Sequence, residues 1–174
     1  MKRTKIIAYT ALLLALCVVA GQFKQISQFI TGPIINAILI IAALWVGLYS
    51  GIAIAVLTPI LTFILAPSPI MQLVPQMVLI VILGNLFIVI IPWLLRKKHQ
   101  LIGIASGAVL KAAFLWCSVS LLIIPFFGGQ LKEPQKVMLT AMFSYNQLIT
   151  AIIGGVIAYL LMLRLNKLFK GRNV

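Results

Sequence analysis

Residues 72–98 read QLVPQMVLIVILGNLFIVIIPWLLRKK. From Gln72 to Leu95 the stretch carries no charge, and it closes on Arg96, Lys97 and Lys98. A helix of that length crosses the ~30 Å hydrocarbon core of a bilayer, with its cations at the water boundary. The rest of the chain repeats this design. Of 174 residues, 63% are hydrophobic and 14 are Lys or Arg, while Glu133 is the only acidic side chain. A soluble protein of this size carries both charge signs over its surface, so this composition belongs to a chain solvated by lipid.

Requiring about 20 apolar residues per helix, relaxed to about 17 inside a bundle, places six spans. They run at roughly 5–22, 33–49, 51–66, 72–95, 101–125 and 138–164. Only Tyr49, Ser50 and Gly51 separate the second span from the third. Their combined apolar length is about twice the hydrocarbon thickness, so they are two helices joined at a turn bracketed by Gly47 and Gly51. No soluble domain, low-complexity tract or clear repeat interrupts the series. Residues 1–174 therefore form a single six-span transmembrane domain, an all-α integral membrane protein.

Lys and Arg then set the orientation, because basic residues in short loops stay on the cytoplasmic side. Lys2, Arg3 and Lys5 precede the first span, Arg96 to Lys98 join the fourth to the fifth, and Arg164, Lys167, Lys170 and Arg172 follow the sixth. The opposite loops hold only Lys24, Lys132 and Lys136, so both termini are expected in the cytoplasm. The run from Ile6 to Ala20 with Val18-Val19-Ala20-Gly21 also resembles a secretory signal, but cleavage there would leave five spans and contradict the charge pattern. The basic flanks are short and lack interleaved aromatics, which points to anionic headgroups and away from nucleic acid.

Enzymatic chemistry has little material here. One carboxylate, one histidine and no nucleotide-binding loop exclude most acid/base, metal and phosphate sites. His99 falls in a basic loop and Glu133 in an outer one, and neither Cys17 nor Cys117 has a close His or Cys partner. No cofactor or metal is expected. No Asp or Glu lies in any span to couple a proton, so a solute carrier built on this chain needs energy from elsewhere.

The candidate binding residues are the departures from plain apolar helix. Residues 22–33, QFKQISQFITGP, mix amides with aromatics and end on Gly-Pro. They suit a lid over the outer mouth that offers Gln22, Phe23, Gln25 and Phe29, or an interfacial turn anchored by its aromatics. Gln72, Pro75 and Gln76 open the fourth span, with Asn85 farther in. Ser144, Tyr145, Asn146 and Gln147 lie about two turns into the sixth span as bounded above. Amides at that depth need partners and face inward, either bonding helix to helix or lining a pocket.

Lys111 is the sharpest residue. It lies about ten residues, hence about 15 Å, into the fifth span, where a charge costs at least about 2.5 kcal/mol. Gly103 and Gly107 share its helical stripe, so that face meets another helix and Lys111 points into the bundle. It either snorkels to headgroups or meets carbonyls, amides and the anionic group of a solute, with Trp116 available for stacking. In the first span Ala11-x-x-x-Ala15, extended by Ala8, allows close approach, within the bundle or to another membrane subunit.

The chain resembles the substrate-binding S components of energy-coupling factor (ECF) transporters over nearly its whole length. The likeness rests on the size, the six spans, the basic ends, the Ala11/Ala15 pair, Gly32-Pro33-Ile34-Ile35-Asn36-Ala37, Gly84-Asn85-Leu86, and Gln147 to Ala151 with Gly154-Gly155. It implies a compact bundle of six transmembrane helices with an outer lid loop between helices 1 and 2, in a bacterial or archaeal cell membrane. The solute would be a water-soluble vitamin or related micronutrient bound in the outward half, with Asn36 among its contacts. Ala8, Ala11 and Ala15 would pack on a transmembrane coupling subunit mounted on two ABC ATPase subunits. A membrane assembly or regulatory scaffold without a solute is the other function the residues allow.

Overall fold

The computed structural model describes residues 3–23 and 27–169. Among these described residues nine α-helices follow in order: α1 (Arg3–Gln22), α2 (Gln28–Ile41), α3 (Leu48–Leu65), α4 (Pro69–Leu73), α5 (Met77–Leu95), α6 (Gln100–Ser118), α7 (Ile124–Phe127), α8 (Glu133–Met142) and α9 (Tyr145–Phe169). A π-helical turn, Ala42–Val46, prolongs α2, and a second, Val119–Ile123, links α6 to α7. Among the described residues six helical segments are long and apolar enough to cross a membrane, so the six-helix bundle stands. After six crossings the chain returns to the face on which it began. We call that the terminal end and its opposite the far end.

Four boundaries differ from the hydropathy reading, the first being that Tyr49, Ser50 and Gly51, expected to separate the second span from the third, lie inside α3, which begins at Leu48 directly after the turn at Gly47. Gly32-Pro33, expected as a stop, lies inside α2, which starts at Gln28. Tertiary packing overrides the local signal: a Cβ on Gly32 would come within 2.9 Å of Thr150, and one on Gly154 within 2.6 Å of the Pro33 carbonyl. α9 thus clamps the helix through its proline, and residues 28–33 of the expected lid are helix. Lys24 and Gln25 lie outside the described residues. The fourth span starts at Met77, with Gln72 in the short α4 and Pro75 in a turn. The sixth is broken at Phe143 and Ser144, where the Ser144 hydroxyl donates to the Ala141 carbonyl (3.1 Å). Such local bonding competes with helix continuation, so within the sixth span the helix restarts at Tyr145, and Tyr145 to Gln147 form its first turn.

Close helix contacts concentrate on glycine. A Cβ at Gly103 would sit 3.0 Å from Pro92, and one at Gly107 3.1 Å from the same residue, so the stripe expected to meet a neighbour meets α5. Gly47 turns the chain from the π turn into α3 at φ 146°, a conformation that only glycine adopts without strain. The largest interfaces are α5 with α6 and α2 with α9. One buried cluster, around Leu39, Ile40, Ile54, Ile88 and Ala158, joins five long helices and takes in Cys17 of α1. A second, around Met77, Leu115, Val119, Leu139 and Phe143, lies toward the far end.

Candidate functional site

A cavity of about 470 Å³ opens at the far end, lined from α2, α3, α4, α5, α6 and α8, with Gly21 of α1 and Gln147 of α9 at its edge. Its floor is polar. α2 supplies Asn36, α5 Asn85 and α6 Lys111, which are 2%, 3% and 4% exposed. The Lys111 ammonium donates to Asn36 Oδ1 (2.5 Å) and Asn85 Oδ1 (2.8 Å). The glycine contacts explain how these groups meet. Gly103 and Gly107 draw α6 onto α5, so Lys111 faces Asn85 across the seam, while Gly154 lies against the Cβ of Asn36 and sets α2 beside them.

Electrostatics on the floor rest on dipoles. Two amide oxygens offset part of the cost of placing a cation at this depth. Glu133 does not line the cavity; it is 81% exposed and paired with Lys136 at 2.7 Å. Lys111 thus ends at the cavity floor, joined to two other helices, and does not reach toward the membrane surface.

The walls are mainly apolar, with Ile35, Phe63, Met71, Leu115, Met138 and Phe143 among the lining residues. Polar groups return toward the mouth. Gln28 Nε2 donates to the Met142 carbonyl (2.7 Å), tying the start of α2 to the end of α8. Gln135 accepts from the Lys132 N–H (2.8 Å). Thr62 Oγ1 is buried with no hydrogen-bond partner, and Thr58 Oγ1, likewise without a geometric partner, lies beside the Cys17 thiol. An orphaned hydroxyl in a cavity wall is a group available to a ligand or to water.

Of the residues singled out in the sequence, Asn36, Asn85, Lys111 and Gln147 line the cavity. Gln22, Phe23, Gln76, Trp116 and Asn146 do not. Gln22 donates to the Val18 carbonyl (3.4 Å), and Phe23 is 54% exposed. Gln76 is exposed just before α5. Trp116 lies five residues after Lys111, about 140° around the helix, and half of its surface faces outward. Asn146 keeps an unpartnered buried Oδ1 away from the cavity lining. Gln28, one of the amides of the 22–33 segment, also lines the cavity, whereas Thr31, Thr62 and Gln135 line it without having been singled out in the sequence. Thr58 and Thr62 are one turn apart in an otherwise apolar span, and that spacing was the available signal.

Ala8, Ala11 and Ala15 are all exposed on α1, beside exposed Leu12 and Leu16. They do not pack inside this bundle. A shallow depression along the end of α9, lined by Leu160, Leu161, Leu163, Arg164 and Lys167, lacks convergent polar groups and is not a comparable site.

No curated protein and no solved structure matches the chain. The family model for the ECF transporter substrate-specific component matches residues 5–165, which takes in all six spans, and the chain belongs to that family.

Proposed function

We propose that this chain captures a water-soluble vitamin or related micronutrient in the far-end cavity, as the solute-binding subunit of an uptake transporter powered by two ABC ATPase subunits. Membership of the family makes it a substrate-specific component that works with coupling and ATPase subunits. The observation that supports a small solute is the cavity itself. Its volume of about 470 Å³ lies in the range of small-molecule sites, and a few converging polar groups sit in mostly apolar walls. With both termini in the cytoplasm, as the basic flanks favour, the mouth opens to the outside. The exposed Ala8, Ala11 and Ala15 offer a flat strip on which a helix of the coupling subunit packs closely.

Three measurements test this reading. The tagged chain, purified from its own cells in mild detergent, should bring down a transmembrane subunit and two ATPases, and the isolated chain should bind a vitamin tightly. Purification alone, with no vitamin bound, would favour a scaffold. A cysteine added after Val174 should resist membrane-impermeant thiol reagents in intact cells. Labelling from outside would reverse the orientation.

A further inference from the structure

Four threonines of this chain spend their hydroxyls on their own helices. Thr10, Thr31, Thr140 and Thr150 each donate to a carbonyl three or four residues back, at 2.7–3.1 Å. Thr58 and Thr62 do not, and both line the cavity. A hydroxyl gives and takes a hydrogen bond, so the α3 wall holds neutral groups of both kinds.

Another such group faces the cavity from α9. Gln147 is 9% exposed and lines the cavity, and among the described residues its side-chain amide has no hydrogen-bond partner. Unlike the two threonine hydroxyls, that amide is not sealed within the wall and opens on the cavity space. An amide presents a donor and an acceptor side by side, and leaving both unmade away from water is costly.

The packing of α9 on α2 gives Gln147 a neighbour. The two helices start at the same end and run side by side, with Gly32 against Thr150 and Gly154 against Asn36. One turn nearer the far end, that register sets Gln28 of α2 level with Gln147 of α9. Gln28 Nε2 donates to the Met142 carbonyl (2.7 Å), and because a carbonyl only accepts, the orientation of this amide is fixed. Its Oε1 is left over, and among the described residues no donor reaches it. Seven residues separate Gln147 from Gly154, which backs Asn36, so the pair stands about 10 Å above the floor.

Resting on the reading of this cavity as the solute site, we propose that Gln147 and Gln28 are its specificity-determining pair, and that the solute carries a neutral cis N–H/C=O edge, that of a primary carboxamide, a lactam or a ureide. Such an edge makes two reciprocal hydrogen bonds with the Gln147 amide. Its N–H donates to Oε1 and its C=O accepts from Nε2. A further N–H on the same group donates to Gln28 Oε1. An ionised carboxylate does not suit this level, because it has no N–H or O–H to give to either glutamine oxygen. The floor stays outside the assignment, since Lys111, Asn36 and Asn85 are bonded to one another.

The test uses the full chain in detergent and calorimetry on pairs in which methylation removes the N–H of the edge: nicotinamide with N,N-dimethylnicotinamide, riboflavin with 3-methylriboflavin, and biotin with its N,N′-dimethyl derivative. Nicotinate, pantothenate, pyridoxine and thiamine, which lack a cis N–H/C=O edge, complete the panel. The expected result is that a compound with the edge binds tightest and its methylated partner binds at least about tenfold more weakly, because a site built for a hydrogen bond rejects the analogue that lacks it. Gln147→Leu should bring that ratio close to one, which a merely structural role for Gln147 would not do. Should Gln147→Leu fail to fold, the wild-type ratio decides alone. Tightest binding by a compound without the edge, equal binding within a pair, or an unchanged ratio in folded Gln147→Leu overturns the proposal and leaves the vitamin reading intact. Failure of every compound to bind counts against both.

Discussion

At the terminal end of the bundle small residues let helices close on one another, while at the far end short helices and proline-rich links hold them apart around a cavity. Gly103 and Gly107 bring α6 against α5 on the first side, leaving no room for a methyl group without a shift. On the second, Pro67 and Pro69 flank the step into α4, and Pro134 opens α8. Both ends draw on the same apolar composition. The difference is whether backbones can touch: contact excludes solvent and solute alike, whereas interrupted helices leave volume that side chains only partly fill.

The sharpest way to break this contrast is to fill the contact that serves both ends. Gly154→Leu places a side chain where a Cβ alone would lie 2.6 Å from the Pro33 carbonyl and 2.7 Å from the Asn36 Cβ. It should cost about 3 kcal/mol, seen as loss of monodisperse protein or a large fall in Tm. Gly129→Leu, at a position with no atom within 4 Å, should leave Tm nearly unchanged. Equal melting of the two variants would show that close approach at Gly154 does not limit the fold.

Assembly should respond separately from binding. Replacing exposed Ala11 and Ala15 together with Trp should abolish co-purification with the coupling subunit while solute affinity stays within about twofold, because these positions lie off the cavity lining. Intact assembly would assign the strip to lipid.

Within the floor, the acceptors and the cation should differ in cost. Asn85→Leu leaves the ammonium with one fewer amide oxygen and should destabilise the solute-free protein by about 1.5–3 kcal/mol. Lys111→Met removes the charge itself and leaves two neutral amides beside a cavity, so its penalty should be smaller. Thermal melting of both variants without solute ranks them, and the opposite order would mean that Lys111 holds the helices together more than it burdens them.

The smallest effect belongs to the exposed ion pair. Glu133→Gln should change stability by no more than about 0.5 kcal/mol, since the carboxylate is 81% exposed and water competes for its partner. A larger loss would give the start of α8 a structural role beyond that pair.

Span number and the all-helical bundle were legible from hydropathy, because transfer to lipid acts on each stretch of about 20 residues independently. The inward direction of Lys111 was legible too, from glycines on its own stripe. The membership of the floor was not. Asn36 and Lys111 are 75 residues apart and Asn85 and Lys111 are 26 apart, and no local pattern states that three helices turn these faces to one point. Trp116 and Asn146 resemble binding residues in one dimension, yet helix rotation turns Trp116 outward, and the break at Phe143 sets a new start for the helix that carries Asn146. Residue by residue, the chain determined which of its stretches are long and apolar enough to cross a bilayer. Only tertiary packing decided which polar groups share the cavity, because a helix fixes the angle between its own side chains but not the direction in which it faces its neighbours.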